Sequence, residues 1–324
     1  MDRDKLLARI DEKTCLDFLA QMIRHKSYSQ TEGERKLAAF MADRMKAIGL
    51  EAELQPVEGE RVNAIGRWKG KGGGKSLLFN GHLDTNPVTE GWTVDPWGGV
   101  IDGKFIYGIG VSNMKAGDAA YYCATKTLVD AGVKLKGDVI LTYVVGELQG
   151  GVGTLAAIRR GVHVGVAHGA LGKELQEWRP PQVADYVRIK GSGRYAPGQN
   201  ETQAIADMRK VLDKLEKRFP GLKATITPEH VTGRPLMPAF EVARDARIVR
   251  TINAAYEKVR GTKQPTGAIT PPGYYGTDAG HFYKELGMEG IVCGPGGRYN
   301  TMPDERVDIP DYLDMVRMYL LCIL

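Results

Sequence analysis

At 324 residues, with 43% hydrophobic and 26% charged residues, the chain is long enough for two domains with a full core. Its net charge of +5 is small for this length and its basic residues are scattered, so neither nucleic acid nor membrane is expected as a partner. No apolar run is long enough to span a bilayer, and Met1-Asp2-Arg3-Asp4 does not read as a signal peptide. The four cysteines (Cys15, Cys123, Cys293, Cys322) form no CxxC and predict free thiols in a cytoplasmic protein.

Apolar residues over 4–24 recur at helical spacing. Thr31-x-x-Glu34 then reads as a capping box, opening a helix that carries Leu37, Phe40, Met41, Met45 and Ile48 on one stripe and closes at Gly49. Residues 51–56 and 62–68 read as strands. The loop from Lys69 to Lys75 ends in Gly74-Lys75-Ser76, like a P-loop. The required first glycine is Lys69, however, and the loop precedes a strand rather than following one, so a solvated turn is expected.

The run Leu77-Leu78-Phe79-Asn80-Gly81-His82-Leu83-Asp84-Thr85 is apolar until it ends in a His and an Asp two residues apart. In a strand such positions share a face. The pair suits a metal-binding imidazole held by a carboxylate; a His at a strand exit beside a solvated Asp is the plainer alternative. Asp102-Gly103 between Val100-Ile101 and Phe105-Ile106-Tyr107 predicts a hairpin. The Gly108–Gly117 loop runs into a helix over about 118–131, with Ser112 or Asn113 as candidate cap. Val139 to Val145 is a strand buried on both faces. It ends in Gly146-Glu147-Leu148-Gln149-Gly150-Gly151, followed by a helix, and ligand sites of open α/β sheets form at such ends. Farther on, Tyr186 to Tyr195 reads as a strand, 200–218 as a helix, Lys223 to Thr227 as a strand and 245–260 as a helix. Cys293 reads as a buried strand end.

Gly81-His82-Leu83-Asp84-Thr85, the Gly108–Gly117 loop, Glu147 to Thr154, Thr277-Asp278-Ala279 and Gly294-Pro295-Gly296-Gly297-Arg298-Tyr299-Asn300-Thr301-Met302-Pro303-Asp304-Glu305-Arg306-Val307 occur in order. Together they resemble the zinc-dependent amidohydrolases and peptidases that include acetylornithine deacetylase, succinyl-diaminopimelate desuccinylase, aminoacylase and the carboxypeptidase G type. The resemblance implies an α/β fold: a three-layer catalytic domain (1–163 and 240–324) with an inserted α+β lid and dimerisation domain (164–239), here shortened because most of its first half is missing. It also implies hydrolysis of a C–N amide bond in a small N-acyl amino acid or peptide, two zinc ions, and a homodimer.

By that resemblance His82 matches a metal ligand, Asp84 the carboxylate that orients it, and Glu147 the general base acting on a metal-activated water. Arg194 matches a lid residue for a substrate carboxylate, with a surface Arg as the equal alternative; in Gly294-Pro295-Gly296-Gly297, Gly296 would let backbone amides approach a ligand closely, with a plain turn as the alternative. The pattern also departs from the family. Asn113 stands for the bridging Asp, Leu148 for an acidic ligand, Asn300 for a His, and a further acidic ligand falls in the missing stretch. Asn113 and Asn300 offer only neutral oxygens, whereas zinc takes about four mainly anionic or imidazole donors. Three readings stay open. The first is a hydrolase with an altered metal site that recruits Asp278 or His281. The second is a non-catalytic ligand-binding member. The third is metal-free acid/base chemistry by Glu147 with His82-Asp84.

Overall fold

The computed structural model describes residues 2–160, 198–228, 235–264 and 276–324. The N-terminal periodicity forms two helices, α1 (Arg3–Leu7) and α2 (Glu12–Arg24), because Asp11 caps a new start by accepting the Thr14 N–H at 3.0 Å. α3 (Glu32–Ala47) ends at Gly49, whose φ of 85° supplies the left-handed turn. The expected capping box does not form. The Thr31 hydroxyl donates to the Tyr28 carbonyl, and Glu34 is drawn away by Arg61, at 2.6 and 2.8 Å. A buried ion pair outcompetes the local cap.

Strands β1 (Glu51–Pro56), β2 (Val62–Trp68) and β3 (Leu77–His82) follow the predicted bounds closely. The hairpin at Asp102-Gly103 joins β4 (Val100–Ile101) to β5 (Phe105–Tyr107), and the Asp102 carboxylate accepts the Lys104 and Phe105 N–H groups. Helix α4 (Ala116–Asp130) leads to β6 (Val139–Val144), whose six residues are all buried. Neither Ser112 nor Asn113 caps α4. The Ser112 hydroxyl donates to Glu305 and the Asn113 amide meets His82, so both candidates are committed elsewhere.

The main sheet has four strands in the order β1-β2-β6-β3; β1-β2 and β2-β6 are antiparallel and β3-β6 is parallel. Alternation along the strands divides its two faces. Leu141, Tyr143 and Ala64 join the large core made with α2, α3, α4 and the C-terminal helix α9 (Ile309–Ile323). Ile140, Ile65 and Leu78 face the other way, onto α5 (Val152–Arg159) and α8 (Ala279–Leu286), through Ala157, Ile158 and Phe282. The result is the expected three-layer α/β domain. A second sheet, β4-β5-β8-β7, joins the hairpin to β7 (Gly297–Arg298) and β8 (Arg306–Asp308), which the spacing did not reveal.

Helix α6 (Glu201–Arg218) stands where expected, and none of its residues is buried. Lys223 to Thr227 is not a strand. The Ala224 N–H donates to the Glu216 carboxylate and its carbonyl accepts from Arg209, so α6 side chains take up backbone groups that a neighbouring strand would need. The expected strand over Tyr186 to Tyr195 lies outside the described residues. α7 (Arg247–Arg260) closes the return to the main domain. Cys293 ends no strand: residues 290–296 are irregular, bracketed by Gly290 and Pro295, and the cysteine is half-buried. All four cysteines are free, and among the described residues no helix is long and apolar enough to cross a membrane.

Candidate active site

Parallel pairing of β3 with β6 sets His82 opposite Val144, which brings the two strand exits together. His82, Asp84 and Glu147 are all buried there. His82 donates its Nδ1–H to the main-chain carbonyl of Asp84 at 2.9 Å, so it is the backbone that orients the ring. The Asp84 carboxylate lies 3.6 Å from Nδ1 and bonds elsewhere. It accepts the N–H groups of Gly146 at 3.0 Å, Glu147 at 3.3 Å and Leu148 at 3.2 Å, with the Ser29 hydroxyl at 3.5 Å. Its place in the site is to hold the turn that carries Glu147.

Glu147 is the opposite case. Its carboxylate is buried, and neither oxygen has a hydrogen-bond partner among the described residues. One oxygen lies 3.9 Å from His82 Nε2. Burial raises its pKa well above the usual carboxylate range, and the nearby charges of Asp278 and Asp84 add to the effect. Asp278 is itself buried and accepts the Thr154 hydroxyl, while its other oxygen has no partner among the described residues. That oxygen explains Gly151, where an added Cβ would stand 2.3 Å from it. Burial likewise raises the pKa of Asp278.

On the other side of the imidazole, Nε2 is 3.1 Å from the side-chain amide of Asn113. With Nδ1 committed to a carbonyl, a neutral ring keeps its lone pair at Nε2, and an amide can turn its N–H toward it. Asn113 is fixed by Glu305, a role that sequence spacing did not reveal. The buried Glu305 carboxylate accepts the N–H groups of Gly110 at 3.0 Å, Ser112 at 2.8 Å and Asn113 at 3.2 Å. Burial still raises its pKa despite these donors. A second unanticipated support is Asn63, which accepts the Val145 N–H and donates to the Gly153 carbonyl, tying the ends of the Glu147 turn to β2. A third is Arg61, which bridges Glu34 to Gln149.

The last motif reaches the site through Thr301, Met302 and Glu305, which with Asn113 and Trp92 line a small cleft. Asn300 is exposed in the turn after β7. Gly296 is exposed as well, and a Cβ there would lie 2.8 Å from the Asp311 carboxylate. Arg194 lies outside the described residues.

The donor chemistry does not fit a zinc pair. His82 supplies one imidazole and Asn113 one neutral amide that already contacts it; Leu148 supplies nothing. Among the described residues no three His, Cys, Asp or Glu side chains converge as metal donors.

An α/β sandwich with a buried imidazole and, among the described residues, an unpartnered carboxylate at adjoining strand ends marks a candidate ligand or catalytic cleft. The model of peptidase family M20/M25/M40 matches residues 78–324, and the chain belongs to that family. It is 29% identical over 231 residues to N-formyl-4-amino-5-aminomethyl-2-methylpyrimidine deformylase of Bacillus subtilis, covering 63% of this chain and 54% of that protein. It is 33% identical over 132 residues to succinyl-diaminopimelate desuccinylase of Gluconobacter oxydans, covering 40% of this chain and 33% of that one. The fold matches aminopeptidase PepT of Bacillus cereus at a TM-score of 0.68, with 15% identity over 97% of this chain and 98% of the other. It matches human carnosine dipeptidase 1 at 0.65, with 14% identity over 100% and 99%.

Proposed function

We propose that the chain hydrolyses a C–N amide bond in a small N-acyl amino acid or peptide, with Glu147 as the group that moves the proton. The carrying observation is the Glu147 carboxylate, buried beside His82 with neither oxygen hydrogen-bonded among the described residues. A carboxylate so placed takes a proton from an attacking water and returns it to the leaving nitrogen. Its raised pKa improves it as a base and requires a higher pH to ionise it. Turnover should therefore fall as the pH drops through a value above the usual carboxylate range. Asp84 keeps the Glu147 turn in place, and Arg194 and Gly296 remain the proposed substrate contacts. The names of the relatives support the substrate class, since a deformylase and a desuccinylase both remove an acyl group. The proposed division keeps 1–163 and 240–324 as catalytic domain and 164–239 as shortened lid, with a homodimer the family's expectation.

The resemblance implies zinc, but this donor set does not hold the usual pair, so no step is assigned to it. One observation favours a second reading, a non-catalytic ligand-binding member: the amide of Asn113 faces the His82 nitrogen that a metal would need. Elemental analysis together with turnover of an N-acyl amino acid panel separates the two. Turnover that falls about 100-fold or more in Glu147→Gln supports the hydrolase. No turnover across the panel supports the binding protein. Two tightly held zinc ions per chain would overturn the judgement on the donor set.

A further inference from the structure

A cavity of about 270 Å³ lies along β3, the terminal strand of the main sheet among the described residues. Consecutive residues from Leu77 to Asn80 line it, so it follows the strand's edge and not one face. Ile252, Cys293, Tyr319 and Cys322 are among its mainly apolar lining residues. Its polar lining includes Asn80, Ser112, Asn113 and Glu289. The Asn113 side chain sits 3.1 Å from His82 Nε2, and His82 in turn is 3.9 Å from Glu147. The cavity thus adjoins the candidate active site, with Asn113 between them.

We propose that this cavity receives the apolar acyl chain of an N-acyl substrate, with the amide at His82 and Glu147 and the chain running along β3 toward Cys322. The inference rests on the hydrolase reading and adds a substrate class to it. A concave, mainly apolar space with a few polar groups is the usual form of a small-molecule site. From Asn80 back to Leu77 a strand rises roughly 10 Å, the length of an extended chain of about eight carbons. Apolar burial then predicts that affinity grows about threefold to fourfold with each methylene until the cavity is filled.

The test uses N-acetyl, N-hexanoyl, N-octanoyl and N-dodecanoyl forms of one amino acid, titrated calorimetrically into the full chain. The result expected is affinity that climbs to about eight carbons and then levels. In parallel, the octanoyl compound should slow modification of Cys293 and Cys322 by methyl methanethiosulfonate, read by mass spectrometry, relative to the acetyl compound. Ile252→Trp, which takes up cavity space, should flatten the series while leaving the acetyl affinity unchanged. Should that variant not fold, cysteine protection in the unaltered chain still decides. Equal affinity across the series without cysteine protection overturns the proposal, as does equal protection by an unacylated apolar peptide. Failure here is distinct from failure of the hydrolase reading. Chain-length-dependent binding without turnover keeps the cavity assignment and removes the hydrolase. Turnover with no chain-length dependence does the reverse.

Discussion

Two carboxylates occupy neighbouring strand ends at equal depth, Asp84 at 0% and Glu147 at 1% exposure. Asp84 after β3 accepts three backbone N–H groups from residues 146–148. Glu147 after β6 accepts none among the described residues. Burial is costly for either charge, and only Asp84 is compensated. One carboxylate therefore builds the turn on which the other is held unsatisfied. The contrast shows that burial of an acid says little about its task until its partners are counted.

Changes at the compensated side should have the largest effect. Asp84→Ala strands the N–H groups of Gly146, Glu147 and Leu148 and should cost on the order of 3 kcal/mol or more. Urea unfolding measures this, and a loss under about 1 kcal/mol would end the comparison. Glu305→Ala removes the acceptor for Gly110, Ser112 and Asn113 and should cost on the order of 2 kcal/mol. Amide exchange at those three residues should accelerate ahead of that in α4.

Glu147→Gln should act in the opposite direction. The folded-state pKa of Glu147 lies above its unfolded value. Its contribution to stability is fully present below the unfolded pKa and is lost as the pH rises through the folded pKa. Thermal unfolding of the variant against the parent should show little difference near pH 4. A gain should grow from there toward alkaline pH, by ~1.4 kcal/mol for each pH step of one between the unfolded and the folded pKa. A constant difference across pH would mean that Glu147 is not held against its charge. The smallest effect is expected of Ser29→Ala. Its hydroxyl donates to Gln149 at 2.9 Å and lies 3.5 Å from Asp84. The loss should be about 1 kcal/mol or less, read from the same urea curves.

Much of the frame was legible before folding. β1, β2, β3 and β6, the Asp102-Gly103 hairpin and the helix over 201–218 follow from alternation, turn chemistry and helical spacing, which are local properties. The His82–Asp84 and Glu147 turns were legible too, since each follows an apolar strand. Local rules failed where a distant side chain offered a stronger partner. Thr31 and Glu34 fit a capping box, yet Arg61 takes Glu34. Ser112 fits an N-cap, yet Glu305 takes its hydroxyl. Lys223 to Thr227 reads as a strand, yet Arg209 and Glu216 take up the backbone of Ala224.

Residue types and order by themselves determined the sandwich and the family, because these depend on pattern and chemical identity. Tertiary structure alone decided which acid is satisfied. Hydrogen bonds at the site join residues far apart in sequence, such as Asp84 to Gly146 and Glu305 to Ser112, and no spacing rule encodes such a pairing. Asp84 was expected to steer the His82 ring with its carboxylate. In the folded chain its carbonyl does so, and the carboxylate is left to shape the turn beneath Glu147.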